Sequence, residues 1–239
     1  MKDNYTFEFY KKCLQKGLDK GYQFLSCKEY LKNKKVNKVV VLRHDVDYHP
    51  LRAYEMALVE NSLGIKSSYF FRIFCNEYNL FSFENINVLK RIEKMGHEIG
   101  YHAEPVDVHA ATGLSCDKAF EIGREAIKLL TDDKIIGAAS HREATGFNNL
   151  TEYIALKKND ELNILYEAYD NTNLNLFENS YYITDSYEWY WRNYINGELT
   201  SKQKSLIDVL DEDVEQTIYC LIHPNLWYKK HFHLVNMYE

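Results

Sequence analysis

The stretch Val39-Val40-Val41-Leu42-Arg43-His44-Asp45-Val46-Asp47 joins an aliphatic run to a cluster of ionisable side chains. Four consecutive large aliphatic residues predict a buried strand. Side chains alternate along a strand, so Asp45 and Asp47 share one face while His44 points to the other. We therefore predict a strand whose end presents two carboxylates to one site.

Six further short apolar runs follow, and helical patterns separate most of them. The predicted strands cover residues 39–42, 68–73, 98–101, 135–139, 163–166, 181–184 and 217–222, and the predicted helices cover residues 50–63, 83–95, 115–130, 149–158 and 201–210. Gly64 and Gly96 follow two of these helices and predict where they stop. Strands that alternate with helices indicate parallel βαβ units, and seven strands favour an α/β barrel over a large open sheet.

The chain is predicted to form a single large domain. Its 239 residues include only three prolines and ten glycines, and no linker-like stretch marks an internal boundary. Residues 1–36 precede the first strand and are predicted to be a helical extension of the barrel domain of residues 37–239. Its candidate packing positions are Tyr10, Leu14, Leu18 and Phe24.

Composition excludes several classes of protein. Hydrophobic residues make up 46% of the chain and charged residues 27%, which is globular usage, unlike that of a disordered or fibrous chain. A net charge of −6 opposes nucleic-acid binding through phosphate contacts. No apolar run reaches the length of a membrane span and no signal peptide is recognisable, so we expect a cytoplasmic protein. The five cysteines lack CxxC spacing, which fits reduced thiols.

Ionisable residues recur where the predicted strands end. Beyond Asp45 and Asp47, the later strand ends carry Glu98, His102, Glu104, His141, Arg142, Asp185 and His223. Each of these residues alone is more commonly a turn, cap or core residue. Loops that leave the carboxyl ends of parallel strands build the functional site of α/β folds, so we expect these side chains to converge at one rim.

Such a set of side chains suits metal-assisted hydrolysis. A carboxylate and imidazoles bind a divalent ion such as Zn, the ion lowers the pKa of a bound water, and a second carboxylate accepts the proton. His223 suits the acid that protonates the leaving group, with Asp185 tuning its pKa. Arg142 is predicted to keep the base carboxylate ionised and oriented.

At these residues the chain resembles the polysaccharide deacetylase family, carbohydrate esterase family 4, and in particular its divergent members with an HDVD-type first motif. The resemblance spans residues 39–227 and implies a distorted, partly open (β/α)7-type barrel. It implies that Asp45 is the catalytic base and Asp47 a metal ligand. His102 follows the segment Gly96-His97-Glu98-Ile99-Gly100 and corresponds to the first metal histidine of the family.

The chain departs from the family at the second metal histidine, because Val106 occupies that position and valine cannot bind a metal. Glu104, Asp107 and His109 are the candidates for the missing ligand. Strand parity favours Glu104, which shares a face with His102. The remaining alternative is a weak or empty metal site.

The third and fourth motifs of the family imply two further roles. The segment Arg142-Glu143-Ala144-Thr145-Gly146 is similar to the third motif, with alanine in place of proline. This similarity assigns the contact with the base to Arg142. Asp185, with Trp189 nearby in sequence, is similar to the fourth motif and implies a carboxylate that orients the acid.

The fifth motif and the aromatic residues concern the acid and the substrate. Cys220-Leu221-Ile222-His223 is similar to the fifth motif, which implies His223 as general acid and Leu221 as a wall for the acyl methyl group. Aromatic residues are dense after the sixth predicted strand, and most are expected to fill the core. Trp189, together with Trp227 beyond the last strand, is a candidate for substrate contact.

These inferences predict a metal-dependent hydrolase that removes an N-acyl group, in the first place N-acetyl, from an amino sugar or saccharide intermediate, for example in surface-polysaccharide assembly. Two alternatives stay open. One is a catalytically degraded barrel that binds a carbohydrate or a partner protein, and metal content separates it from the hydrolase. The other is a hydrolase of a nonsugar amide, which a small closed pocket would indicate.

Overall fold

One mixed sheet forms the centre of the molecule. The computed structural model describes residues 5–34, 38–142, 146–169, 173–214 and 217–230. Within these ranges the strands are β1 (Gln23–Leu25), β2 (Val39–Val46), β3 (Ser68–Phe71), β4 (Glu98–Ala103), β5 (Ala138–Ser140), β6 (Tyr181–Thr184), β7 (Arg192–Ile195), β8 (Glu198–Leu199) and β9 (Ile218–Ile222). Their order is β5-β4-β3-β2-β9-β6-β7-β8, and β1 pairs with β2. In the described chain β5 and β8 do not pair, so the predicted α/β class and partly open barrel are confirmed.

Helices connect most of the strands. They are α1 (Phe7–Asp19), α2 (Cys27–Lys32), α3 (Pro50–Ser62), α4 (Phe83–Lys94), α5 (Pro105–Thr112), α6 (Cys116–Leu130), α7 (Asn149–Glu152), α8 (Asn159–Leu162) and α9 (Leu206–Asp211), with short 3₁₀ helices at Ile154–Leu156 and Pro224–Leu226. None of the helices in the described ranges combines the length and the apolar composition needed to span a bilayer.

The central strand β2 is buried along its whole length and pairs in parallel with β3 and β9. Val39 and Val41 pack in one apolar cluster, whereas Val40 and Leu42 pack in another. This alternation confirms the predicted two-residue period. Parallel pairing from β5 through β6 brings the carboxyl ends of these strands to one rim.

The local sequence explains where the central helices begin and end. The side chains of Ser82 and Ser115 accept hydrogen bonds from backbone N–H groups in the first turns of α4 and α6, which stabilises both helix starts. Gly64 and Gly96 follow α3 and α4 with φ angles of 71° and 88°. Glycine adopts this left-handed region without a Cβ clash, and both predicted stops are confirmed.

Three predicted elements differ from the structure. Residues 163–166 are not a strand, although Leu165 N donates to Ile136 O beside β5. The predicted helix 149–158 divides into α7 and a 3₁₀ turn, and the helix predicted over 201–210 begins only at Leu206. The prediction also omits β7 and β8, whose connecting Asn196-Gly197 turn has φ angles of 53° and 77°. That dipeptide is a hairpin signal.

The N-terminal segment adds a strand to the sheet as well as covering it. Instead of helices alone, α1 and α2 flank β1, which pairs in parallel with the start of β2. Tyr10 and Leu14 of α1 are fully buried. The predicted domain boundary at residue 36 lies within residues 35–37, outside the described chain.

Candidate active site

Side chains at the ends of five strands line one cleft of about 800 Å³. The strands are β2, β4, β5, β6 and β9, and the side chains they supply include Asp45, Asp47, His102, His141, Asp185, Leu221 and His223. The structure therefore brings together most of the residues predicted from strand ends. The parallel register accounts for this convergence, because it aligns the carboxyl ends of the strands.

Asp45 is held by an arginine of its own strand. Arg43 donates to both oxygens of Asp45, from Nε at 2.8 Å and from Nη2 at 2.7 Å, and both side chains are buried. Burial raises the pKa of Asp45, but the charge and hydrogen bonds of Arg43, together with the charges of His102 and His223, outweigh it and leave that pKa below its usual value. Asp45 is therefore ionised and fixed, as a proton acceptor must be.

The contact predicted for Arg142 is made by Arg43. Arg142 lies on the rim of the cleft and is exposed, and residues 143–145 of the predicted third motif lie outside the described chain. Arg43 has the same strand parity as Asp45, which is the sequence signal that would have identified it. Its guanidinium also lies 4.4 Å from the ring centre of Tyr169.

Asp47, His102 and His141 form a group whose donor atoms all lie within 4.8 Å of one another. Asp47 Oδ1 is 3.2 Å from His102 Nε2 and 3.6 Å from His141 Nε2. The position of His141 follows from the sheet, because its backbone N–H donates to Ala103 O at the end of β4. Two imidazoles and a carboxylate are a donor set of catalytic zinc sites.

The protonation of this group fits a cation. His102 Nδ1 lies 2.8 Å from Ala139 O; a carbonyl only accepts, so Nδ1 carries hydrogen and Nε2 faces Asp47. Asp47 Oδ1 is buried and receives no hydrogen bond from the residues described. Burial, and then the nearby charge of His102, lower the pKa of His141 to about 3, so its ring is neutral and able to coordinate.

When no ion is bound, a proton on His102 can balance the negative charge of Asp45 and Asp47. Burial lowers the pKa of His102, but Asp45 and Asp47 raise it by more, so it lies above its ordinary value. Burial raises the pKa of Asp47, and the histidines bring it well below its usual range. The group therefore favours a positive charge, from an ion or a proton, next to the ionised carboxylate of Asp47.

Glu104 does not belong to this group. Its carboxylate accepts from Arg72 Nε at 2.8 Å and from Phe74 N at 2.9 Å, and α5 begins at the next residue. The two other candidates also lie elsewhere: Asp107 accepts from Asn149, and the exposed His109 lies against Leu114 O. The donor that accompanies His102 is His141, a strand-end residue of β5 that sequence parity within β4 could not identify.

His223 and Asp185 form a second polar pair in the cleft. Asp185 Oδ1 lies 2.6 Å from His223 Nδ1, and Trp227 Nε1 donates to Asp185 Oδ2 at 2.8 Å. Burial lowers the pKa of His223, but the charge and hydrogen bond of Asp185 outweigh it and raise that pKa to about 9. His223 Nε2 lies 4.0 Å from Asp47 Oδ2, so a protonated imidazole stands beside the proposed ion site.

The wall of the cleft is aromatic and includes the predicted Leu221, whereas the predicted Trp189 and Trp227 do not line it. Leu221 lines the cleft together with Tyr169, Phe177, Tyr182, Tyr187 and Tyr194. Trp227 is fully buried and acts on Asp185. Trp189 lies outside the cleft with its ring 5.4 Å from that of Tyr5. The tryptophans therefore pack the structure behind the site.

Comparison with known proteins gives distant structural similarities. No protein-family model and no curated protein matches the chain. The deacetylase PplD of Streptococcus pyogenes, in complex with acetate, has 20% identity and a TM-score of 0.46, covering 66% of this chain and 69% of its own. A family 4 carbohydrate esterase from Bacillus anthracis has 15% identity and a TM-score of 0.40, covering 76% of this chain and 66% of its own. Function is therefore inferred from the side chains of the cleft.

Proposed function

We propose that the protein is a metal-dependent hydrolase that removes an N-acyl group, in the first place N-acetyl, from an amino sugar or saccharide intermediate. One observation carries this proposal: Asp47, His102 and His141 converge beside Asp45, an ionised carboxylate that Arg43 holds in place. A carboxylate base adjacent to a three-ligand cation site is suited to the hydrolysis of an amide by activated water.

The residues of the cleft divide the chemistry among them. Asp47, His102 and His141 would hold a divalent ion, for which we propose zinc, and such an ion would supply an activated water and polarise the amide carbonyl. Asp45 accepts the proton of the attacking water; its Oδ2 lies 3.5 Å from His102 Nε2, at the edge of the ion site. His223 delivers a proton to the departing amine, because Asp185 keeps it protonated near neutral pH. Leu221 borders the space for the acyl group.

The cleft favours a sugar over a small nonsugar amide. Its volume of about 800 Å³ exceeds what a small closed amide pocket needs, and its wall carries four tyrosines. Tyrosine rings offer faces on which sugar rings stack and hydroxyl groups that bond to sugar oxygens. The three-residue group also argues against a degraded site, because it supplies a replacement for the histidine missing at Val106.

The test combines metal content with release of acetate. We expect the purified protein, dialysed against zinc, to hold about one ion per chain and to release acetate from N-acetylglucosamine oligomers. Asp45→Asn removes the base but none of the three ligands, so it should retain the ion and lose at least ~10²-fold in turnover. Full turnover in this variant, or a wild-type protein that holds no ion, would refute the proposal.

The ligand set is tested by a pair of substitutions. His141→Ala removes a proposed ligand and should abolish stoichiometric zinc binding, measured by competition with a chelator. Glu104→Gln changes the residue that the sequence favoured, and it should leave the ion bound, because Glu104 faces Arg72. If His141→Ala kept the ion and Glu104→Gln lost it, Glu104 would be the third ligand instead of His141.

A further inference from the structure

Tyr187 reaches into the ion site from the loop that follows β6. Its hydroxyl donates to Asp47 Oδ2 at 2.9 Å, and Asn225 Nδ2 donates to the same hydroxyl at 3.3 Å. The residue is 53% exposed, yet its polar end lies inside the cleft and its ring centre is 5.9 Å from that of His223. Tyr187 therefore contacts the site through its hydroxyl and contributes little to the core.

The two oxygens of Asp47 have different surroundings. Oδ1 faces His102 and His141, at 3.2 Å and 3.6 Å, whereas Oδ2 accepts from Tyr187. The terminal torsion of an aspartate is soft, so an unrestrained carboxylate can rotate and exchange its two oxygens. A donor fixed on Oδ2 opposes that rotation and keeps Oδ1 directed at the two imidazoles.

We propose that Tyr187 is a positioning residue that fixes the orientation of Asp47 in the metal site. This inference rests on the proposed function, because it gives Tyr187 a role toward the same ion. Donors that hold a ligating carboxylate typically contribute 10- to 100-fold in metal affinity or activity. The hydroxyl of Tyr187 acts on the ion through Asp47, so its first effect is on metal binding.

Tyr187→Phe removes the hydroxyl and keeps the ring. We expect its zinc affinity, measured by competition with a chelator, to fall about 10-fold or more relative to the unchanged protein. The visible absorption spectrum of the Co²⁺-loaded variant should also change, because the carboxylate that contributes to the coordination is no longer restrained. If Tyr187 had a purely structural role, a variant whose metal-free form melts at the same temperature as the unchanged protein would keep the same zinc affinity and the same Co²⁺ spectrum.

Tyr190→Phe is the matched control. Tyr190 lies in the same loop, but its hydroxyl bonds to Glu188 outside the ion site, so zinc affinity and the Co²⁺ spectrum should stay as in the unchanged protein. Equal zinc affinity and equal spectra in Tyr187→Phe and the unchanged protein would overturn this inference while leaving the proposed function intact. Failure of the unchanged protein to bind zinc or Co²⁺ would overturn both.

Discussion

Asp185 decides at the residue scale whether His223 carries a proton. His223, the proposed general acid, works only while protonated, so turnover should fall as the pH rises through its pKa, which Asp185 raises to about 9. Asp185→Asn removes the charge but keeps the shape of the side chain. We expect the falling limb of the pH profile of kcat/KM to move toward the ordinary histidine value of about 6.5.

A charge change far from the cleft provides the control. Asp211→Asn removes one negative charge from an exposed pair with Lys16, and it should leave the falling limb where it is. An Asp185→Asn profile that coincides with that of the unchanged protein would show that the limb belongs to another group.

At the scale of elements, the buried carboxylate of Glu60 joins α3 to the strands β2 and β3. Glu60 Oε1 lies 2.6 Å from His44 Nε2 and also accepts from Tyr10, while Oε2 accepts from Ser67 and Tyr69 at 2.6 and 2.9 Å. Burial raises the pKa of Glu60, but His44 and the other donors outweigh it and lower that pKa to about 2. Replacing one partner of a buried pair typically costs about 3–5 kcal/mol, which we expect for the unfolding free energy of Glu60→Gln.

The lowered pKa of Glu60 also predicts how the unfolding free energy changes with pH. Because the folded pKa of Glu60 lies below the unfolded value of about 4.3, its contribution is present above that value and is lost as the pH falls toward 2. Glu60→Gln should flatten this part of the curve in urea unfolding experiments. Glu125→Gln on α6, a half-exposed residue paired with Lys128, is the control and should change stability by less than about 1 kcal/mol. Equal unfolding free energies in the two variants would contradict the role of Glu60.

At the scale of the whole molecule, the N-terminal segment is joined to the segment that carries His223, the proposed general acid. Phe7 N donates to Tyr228 O and Tyr228 N to Tyr5 O, at 2.9 and 3.0 Å, and the ring of Tyr5 lies 5.0 Å from that of Trp227. Trp227 in turn donates to Asp185. We therefore predict that the described N-terminal elements and the barrel unfold together, in one cooperative transition.

Leu14→Ala tests this coupling. Leu14 is fully buried in α1, so the substitution should lower the unfolding free energy by about 2–5 kcal/mol. Far-ultraviolet circular dichroism and tryptophan fluorescence should then shift together. The exposed Lys11 of the same helix gives the control, Lys11→Ala, with little change. Two separate transitions would instead support an extension that folds independently of the barrel.

The pattern of short apolar runs, each ending in charged residues, was sufficient to place several residues of the candidate site at one rim. Apolar runs that end in charged residues predicted that Asp45, Asp47, His102, Asp185 and His223 would lie at one rim, and the structure brings them together. This inference works because side-chain direction in a strand has a period of two, and because parallel strands share one carboxyl edge. The first rule is local to each strand, and the second follows from the fold class.

Only the tertiary structure decided which side chains complete the site. Glu104 turns to Arg72 as α5 begins, and His141 of the neighbouring strand faces Asp47 in its place. Tyr187 reaches Asp47 from a residue 140 positions away. Most of these contacts join segments far apart in the chain, and their distances depend on how strands and loops pack. Sequence periodicity carries no information about that packing.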